Sequence, residues 1–429
     1  MGETTILVVD DEDGIRSSLK GILSDEGFAV FDSGDSSSAL TLIDQLRPRL
    51  VLLDVWMPEV DGIELLRKIK QSSPQTDVIM ISGHGNIQSA VTAIKLGAAD
   101  FIEKPFSVEH LLNTIARVLA DSYDADWGAQ KPKAAISEGI LIQPGSFPTL
   151  RQKTINRSAV LAGQGLHSGL KTGVILYPGP LNSGIVFMPL SSDVTIFAKA
   201  ENVSDTGYNT TLSYDGYSVR TIEHLMSALH GFGITNLLIK TEGEVPALDG
   251  SAVEFCKAIA EVGVREQDGF IAPVQVKEPI LIGDSARRGK YILVEPADRL
   301  IIDYTLEYPP PIGTQRVHFE LTSPEDYMRE IAPARTFGFV TEMSKLSAMG
   351  LARGGRLDNC ILVDNEKVIN TALRYDNEFA RHKVLDLIGD LYLLGRPLWA
   401  HVTAYKTGHS DNLALVRALW QQAAREYHQ

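Results

Sequence analysis

The chain has 429 residues, more than one hydrophobic core usually serves, and this length predicts two or three domains. Hydrophobic residues make up 44% and charged residues 22%, and no apolar run approaches the roughly 20 residues of a membrane helix, so we expect no transmembrane segment. The net charge of −14 argues against a nucleic-acid-binding protein. The apolar run 6–9 is too short for a signal peptide, and we expect a cytoplasmic protein.

Residues 1–120 alternate short apolar runs with amphipathic helical patterns. The run ILVVD is followed by GIRSSLKGILSDEG, and AVFDSG, SSALTLIDQL and LVLLDV continue the alternation. Strands that alternate with helices predict an α/β domain with a parallel sheet covered on both faces. In such sheets, ligands bind beyond the carboxyl ends of the strands.

Polar side chains stand at the carboxyl ends of these predicted strands. They are Asp10 and Asp11 after the first strand, Asp54 at the third, Ser82 at the fourth and Lys104 at the fifth. Three carboxylates at one edge repel each other unless a divalent cation lies between them, and oxygen ligands suit Mg²⁺. A carboxylate held in this way can attack a phosphoryl group, and Ser82 and Lys104 would bind the oxygens of the acyl phosphate.

With the motifs DVWMPEVDG, ISGHG and EKPF, this domain resembles response-regulator receiver domains over its whole length. The resemblance implies a flavodoxin-like fold with a parallel five-stranded sheet and a sensor histidine kinase as partner. It also implies that Asp54 is the phosphoacceptor, that Phe101 is the switch aromatic, and that the Lys104–Pro105 bond is cis.

Residues 121–148 carry no sustained period and contain turn residues. We interpret this stretch as a linker with one short ordered piece around Ile140–Ile142. Neither a helix-turn-helix nor a basic recognition helix follows it, so a DNA-binding output is not expected.

From residue 149 onward, strand-like stretches such as TGVILYPG and GIVFMPL are interrupted by helical ones such as SAVEFCKAIAEVG. Elements that do not strictly alternate predict an α+β fold. Cys256 and Cys360 lie far apart in apolar surroundings, and we expect two reduced, buried thiols and no disulfide.

The segment RHKVLDLIGD carries a chemical signal in this second part. On a helix, a spacing of four residues brings His382 and Asp386 to one face, where they can hold a metal ion. A catalytic zinc takes three His or carboxylate ligands and leaves a fourth position to water, and His224 in TIEHLMSAL would complete the set. The same ligands suit iron, so the sequence leaves the metal open between zinc and iron.

Seven ordered blocks between about Arg151 and Trp420 give this part a close resemblance to the UDP-3-O-acyl-N-acetylglucosamine deacetylases, the zinc amidases of lipid A synthesis. The blocks are GQGLHSG, TIEHLMSALHGFGITN, EVPALDGSA, ARTFGF, GLARGGRLDN, RHKVLDLIGD and AYKTGHSDN. The resemblance implies UDP-3-O-acyl-N-acetylglucosamine as substrate. It further implies two similar layered halves, here 149–270 and 271–425, with the zinc site between them.

Amide hydrolysis gives roles to further residues. Glu223, which precedes the ligand His224, can act as general base toward the attacking water. His409 fits the acid or electrostatic stabiliser that helps the amine leave, with Asp390 holding its orientation. The resemblance places the hydroxyl of Thr336 as a donor to the oxyanion.

For four further residues the sequence allows two interpretations each. Phe337 and Phe339 line the acyl and sugar pockets by resemblance, although ordinary strand core also fits them. Lys383 either contacts a substrate oxygen or is a surface helix lysine. Lys290 could face a diphosphate, or it could stand at a solvated hairpin tip.

We therefore expect a receiver domain fused to a zinc amidase that releases acetate from UDP-3-O-acyl-N-acetylglucosamine. The alternative is a phosphorelay signalling protein whose deacetylase-like half has become a binding module. Retention of Glu223 and His409 beside the three ligands speaks against this alternative, because a binding module has no need of a general base.

Overall fold

The structure is a computed structural model that describes residues 4–57, 61–82, 87–104, 106, 108–119, 149–190, 192–284 and 289–426. The chain forms two compact units. The predicted linker with its ordered piece at Ile140–Ile142 lies outside the described residues, as does Pro105, on which the predicted cis bond depends.

The N-terminal unit alternates strands with helices. Its elements are β1 (Thr5–Val9), α1 (Asp13–Asp25), β2 (Ala29–Ser33), α2 (Ser36–Leu46), β3 (Leu50–Asp54), α3 (Gly62–Ser72), β4 (Asp77–Ser82), α4 (Ile87–Lys95), β5 (Asp100–Glu103) and α5 (Val108–Leu119). The strands pair in the order β2-β1-β3-β4-β5, and every pairing is parallel. Strand β3 is buried along its whole length, as expected for a central strand covered on both faces. The predicted flavodoxin-like fold is confirmed.

The first half of the C-terminal unit is built around a five-stranded sheet in the order β10-β9-β14-β8-β7. Its elements are β6 (Leu150–Ile155), β7 (Ala159–Gln164), β8 (Lys171–Pro178), β9 (Ile185–Met188), β10 (Ile196–Phe197), β11 (Val203–Asp205), β12 (Thr211–Tyr214), β13 (Tyr217–Val219), α6 (Glu223–Phe232), β14 (Leu237–Thr241), α7 (Val253–Val262) and β15 (Val264–Ile271). Helix α6 is buried at every residue, including the polar Glu223, His224, Ser227 and His230, so its polar face as well as its apolar face packs against protein.

The second half is built around a six-stranded sheet in which β17-β18-β23-β19-β20 are neighbours and β16 pairs with β23. Its elements are β16 (Val274–Gln275), β17 (Ile280–Gly283), β18 (Tyr291–Pro296), β19 (Leu300–Glu307), β20 (Thr314–Glu320), α8 (Pro324–Glu330), β21 (Phe337–Phe339), α9 (Val340–Ala348), β22 (Ile361–Val363), α10 (Glu378–Leu391), β23 (Leu398–Tyr405) and α11 (His409–Glu426).

The two halves share one hydrophobic core, in which residues of α6 and α10 pack together with those of both sheets. The predicted α+β fold of two layered halves is confirmed. Both cysteines are free, but Cys360 is only half-buried, so the prediction of a buried thiol is wrong for this residue. None of the described helices combines the length and apolar character that a bilayer-spanning segment needs.

Candidate functional site

The first turn of α6 carries two of the predicted site residues, Glu223 and His224. The chain enters this helix through Thr221, which has a φ of 58°, an unfavourable value for a β-branched residue. Its hydroxyl donates to the carboxylate of Glu244 at 3.1 Å, and this bond helps to hold the turn. Backbone strain of this kind is common at functional sites.

Helix α10 brings its site residues to one face, because they recur every four positions. His382 and Asp386 meet His224 of α6, and one ligand atom from each lies within 4.8 Å of the others. Oδ1 of Asp386 is 3.6 Å from Nε2 of both histidines, and the two imidazole rings stand at 88° to each other. The Nδ1 atom of His382 lies 3.2 Å from the carbonyl oxygen of Ala334, which leaves Nε2 to face the other two ligands.

The electrostatics of His382 and Asp386 suit a metal ion, which binds a neutral imidazole and an ionised carboxylate. Burial lowers the pKa of His382 to about 3, so the ring is neutral near pH 7. Burial would raise the pKa of Asp386, but His382 and Lys383 outweigh it and hold that pKa well below its usual value. The donor set of two imidazole nitrogens and one carboxylate oxygen fits a catalytic zinc site.

Lys383 lies beside these ligands. Its Nζ atom is 3.0 Å from Oδ2 of Asp386 and 5.7 Å from the ring centre of Phe337. The side chain is only 20% exposed, so the alternative of a surface helix lysine is wrong. Burial would lower the pKa of Lys383, but the Asp386 carboxylate outweighs it and raises that pKa.

A second group of residues adjoins the cluster of His224, His382 and Asp386, which we call the ligand cluster. Nδ1 of His409, at the start of α11, is 2.8 Å from Oδ2 of Asp390, and Nε2 is 4.0 Å from Oδ2 of Asp386. Burial would lower the pKa of His409, but Asp390 outweighs it and raises that pKa to about 9, so the imidazole is protonated near pH 7. Burial raises the pKa of Glu223 above its usual value, which makes its carboxylate a stronger base.

The segment before β21 carries Thr336. Its backbone is fixed by a bond from its N–H to the carbonyl of Gly250 (2.7 Å), and its own carbonyl accepts from Ile361 N–H (2.8 Å). Arg335 next to it forms a buried ion pair with Glu378 in the first turn of α10, at 2.8 Å. This pair fastens the segment to the helix that carries two of the predicted ligands.

Aromatic side chains extend from the ligand cluster. The ring of Phe337 lies 6.0 Å from that of His382 and 4.9 Å from that of Phe379, while Phe339 lies 5.3 Å from Tyr308. Both Phe337 and Phe339 are half-buried, so they pack against the core and also keep accessible surface.

Lys290 is exposed and immediately precedes β18, next to the end of its pairing with β17. Its carbonyl accepts from the N–H of Asp284 at 3.2 Å. Among the described residues, Lys290 makes none of the contacts reported for His224, His382 and Asp386.

The N-terminal unit has its own cluster at the carboxyl edge of its sheet. Nζ of Lys104 lies 2.8 Å from Asp10 and 3.1 Å from Asp54, and oxygen atoms of Asp10, Asp11 and Asp54 lie within 4.8 Å of one another. Burial raises the pKa of Asp54, although Lys104 acts in the opposite direction. A bound divalent cation would offset the carboxylate charges and stabilise their ionised forms. In the described part of the chain, this group and the group of His224, His382 and Asp386 are the two sets of three or more His, Cys, Asp or Glu residues that meet this spacing.

The remaining two residues of this unit's predicted site are buried. Ser82 ends β4, and its carbonyl accepts from the N–H of Lys104 at 2.7 Å. Phe101, on β5, has no exposed surface in this structure.

Two residues that touch the C-terminal site, Thr210 and Asn412, were not predicted from the sequence. Thr210 contacts Glu223, Asp390 and His409, and Asn412 donates to Asp390 at 2.9 Å. The motif AYKTGHSDN includes Asn412, so its position three residues after His409 could have drawn attention to it. Thr210 offers no such signal, because a threonine in the stretch NTTLS is typical of an ordinary strand.

Known proteins resemble both units. The sequence model of the UDP-3-O-acyl N-acetylglycosamine deacetylase family matches residues 152–421, and that of the response regulator receiver domain matches residues 6–116. A UDP-3-O-acyl-N-acetylglucosamine deacetylase of Myxococcus xanthus is 44% identical over 281 residues, which cover 64% of this chain and 87% of that protein. One of Helicobacter pylori is 38% identical over 276 residues, which cover 64% of this chain and 92% of that protein. The receiver domain of NtrX from Brucella abortus is 51% identical and covers 27% of this chain and 99% of that chain, with a TM-score of 0.27.

The fold, the donor set and the family matches together define a metal-dependent hydrolase joined to a response-regulator receiver domain. The chain belongs to the UDP-3-O-acyl N-acetylglycosamine deacetylase family, whose sequence model matches more than half of its residues.

Proposed function

We propose that this protein hydrolyses the acetamide of UDP-3-O-acyl-N-acetylglucosamine to UDP-3-O-acyl-glucosamine and acetate, a reaction of lipid A biosynthesis. The observation that carries the proposal is the meeting of His224, His382 and Asp386 beside a buried carboxylate, Glu223, and a protonated imidazole, His409. In our proposal the three ligands hold Zn²⁺. When bound, such an ion acts as a Lewis acid and lowers the pKa of water to about 7.

Glu223 acts as the general base in this proposal. Its carboxylate takes a proton from the water whose oxygen attacks the acetyl carbon, and its raised pKa suits that transfer near neutral pH. The N–H of Thr210 donates to Oε2 of Glu223 at 3.0 Å and keeps the carboxylate in place.

His409 acts as the general acid. The carbon–nitrogen bond of the acetamide breaks only if the departing nitrogen gains a proton, and a protonated imidazole can supply one. Asp390 holds Nδ1 of His409 at 2.8 Å, which leaves Nε2 as the nitrogen that faces the ligand cluster.

Thr336 and Lys383 bind oxygen atoms of the substrate in this proposal. The hydroxyl of Thr336 would donate to the carbonyl oxygen as it gains charge. The half-buried ammonium of Lys383 would contact a second substrate oxygen while it remains paired with Asp386. Phe337 and Phe339 would line the acyl and sugar pockets, and Lys290 would face the diphosphate of the substrate.

The receiver domain is the proposed regulator. A sensor histidine kinase would phosphorylate Asp54 with Mg²⁺ held by Asp10, Asp11 and Asp54, and Ser82 and Lys104 would bind the phosphoryl oxygens. Phe101 is already buried, so its switch would consist of repacking and not of entry from solvent. We place the whole reaction in the cytoplasm, with the receiver at 1–120, a linker at 121–148 and the two catalytic halves at 149–270 and 271–425.

The test is an acetate-release assay on the full chain. Purified protein is stripped with a chelator, reloaded with Zn²⁺ or Fe²⁺, and mixed with UDP-3-O-acyl-N-acetylglucosamine. We expect one acetate and one free amine per sugar after reloading and neither before it. A reloaded chain that holds one metal ion and releases no acetate would contradict the proposal.

A further inference from the structure

Thr210 lies between the two groups that would transfer protons. It is 1% exposed and immediately precedes β12. Its N–H donates to Oε2 of Glu223 at 3.0 Å, and its hydroxyl donates to Oδ1 of Asp390 at 2.6 Å. Its hydroxyl oxygen also lies 3.4 Å from Nδ1 of His409.

These bonds divide the two oxygens of Asp390 between different partners. Oδ1 accepts from the hydroxyl of Thr210, whereas Oδ2 accepts from His409 at 2.8 Å and from Asn412 at 2.9 Å. A carboxylate held at both oxygens has a fixed rotation about its terminal bond. The direction from Asp390 to the imidazole is therefore set in part by Thr210.

Thr210 therefore contacts both groups that take part in proton transfer, the base and the pair that includes the acid. The amide of Thr210 fixes the carboxylate of Glu223, and its hydroxyl fixes the Asp390–His409 pair. Those groups lie on α6, α10 and α11, and a long stretch of sequence separates α6 from the other two helices. Thr210 bonds directly to a group on α6 and to one on α10, so it links the base to the carboxylate that holds the acid.

We propose that Thr210 is a positioning residue that keeps the carboxylate of Glu223 and the imidazole of His409 in register for consecutive proton transfers. This inference rests on the proposed function, because it assumes the base and acid roles given there. It adds a residue that contacts neither the predicted metal ligands nor, in our proposal, the reacting atoms.

The test compares three variants of the full, metal-loaded chain. Thr210→Val removes the hydroxyl but keeps the backbone N–H and the branched shape, and we expect kcat to fall about 10- to 100-fold with KM nearly unchanged. Thr210→Ser keeps the hydroxyl and should restore most of kcat. Thr210→Ala, which also lacks the hydroxyl, carries the same expectation as valine and serves if the valine variant does not fold.

Thr211→Val is the matched control. Thr211 is also buried, and its hydroxyl donates to Oδ1 of its neighbour Asn209 at 2.7 Å. The same substitution one residue further along thus removes a buried hydroxyl without touching Asp390. We expect wild-type kcat and metal content.

A second readout does not depend on turnover. In protein labelled with ¹⁵N-histidine, NMR gives the chemical shift of the His409 Nδ1 proton, which is hydrogen-bonded to Asp390. We expect this chemical shift to change in Thr210→Val and Thr210→Ala and to remain at the wild-type value in Thr211→Val. Wild-type kcat with an unshifted signal in the hydroxyl-free variants would overturn the inference, as would equal losses in Thr210→Ser and Thr210→Val. If the wild-type chain releases no acetate, the proposed function fails, and the histidine signal alone then decides whether Thr210 orients this pair.

Discussion

The α-carbon of Gly389 on α10 lies against the carbonyl oxygen of Glu223 on α6, and a Cβ atom added at residue 389 would overlap that oxygen. The two helices therefore cross at the closest approach that backbone contact allows. This crossing brings Asp386 next to His224 and sets Asp390 within reach of the same site, because those residues lie within one turn of Gly389 on α10.

We predict that Gly389→Ala weakens both the fold and the metal site. The added methyl group must push the helices apart, and overpacking of this kind costs about 1 to 3 kcal/mol of unfolding free energy. The measurements are thermal unfolding and metal titration of the full chain. Gly21→Ala is the control, because Gly21 lies within α1 with open space around it, and alanine there should stabilise the helix by up to about 1 kcal/mol. Unchanged stability and metal affinity in Gly389→Ala would show that the close crossing is dispensable.

We predict that His382→Ala loses stoichiometric metal and acetate release but still folds. The histidine supplies one of three proposed ligands, whereas the apolar residues of α10 around it supply the packing that holds the helix. Metal analysis measures the loss of the bound ion, and circular dichroism shows whether the variant still folds. His318→Ala, at an exposed residue of β20, should keep full metal and activity. A His382→Ala protein with one bound metal ion and the parent rate would remove this residue from the site.

The stability of the metal-free chain should depend on pH through His409. Its pKa is about 9 in the folded chain against an ordinary value of 6.5, so its protonation stabilises the fold. A group whose folded pKa is raised contributes fully below about pH 6.5, and this contribution is lost as the pH rises through about 9. The difference in unfolding free energy between wild type and His409→Gln should therefore shrink over that interval. A difference that stays constant from about pH 6.5 to 9.5 would contradict the raised pKa.

We predict that phosphorylation of Asp54 changes the deacetylation rate or the size of the protein in solution. A phosphoryl group adds charge that Lys104 can bind, and couplings of this kind are typically about 1 to 3 kcal/mol, or roughly 5- to 150-fold. Wild type and Asp54→Ala are compared with Mg²⁺ and a small phosphodonor. If the wild type takes up phosphate and neither quantity moves relative to Asp54→Ala, the receiver does not regulate this enzyme directly.

Much of the fold and of both sites follows from local periodicity. Residues at the carboxyl ends of successive parallel strands must share one edge, so the nearness of Asp10, Asp54 and Lys104 was predictable from the strand pattern alone. A spacing of four on a helix likewise predicts that His382 and Asp386 face the same way. The roles of Glu223 and His409 needed the family resemblance as well, because these residues lie on two helices, α6 and α11, from distant parts of the chain.

The remaining features depend on tertiary packing that no local pattern encodes. Thr210 reaches Asp390 across 180 positions of sequence, and only the folded chain shows that its hydroxyl and its amide serve different partners. Lys383 follows the ligand His382 directly, and the sequence left open whether its helix face meets solvent or protein. The partial burial of its side chain comes from packing around Asp386 and Phe337, which the helical period does not specify.

The role of Glu223 as general base is tested by the rate of acetate release by Glu223→Gln compared with wild type. Glutamine keeps the shape of the side chain and leaves the three proposed ligands intact, but it has no carboxylate to take the proton. The account predicts one metal ion per chain in both proteins, substrate binding of similar affinity, and a fall in kcat of about 10²- to 10⁴-fold in the variant. Equal rates in the two proteins would contradict the proposed mechanism, and a wild-type chain that binds the substrate but releases no acetate would favour the binding-module alternative.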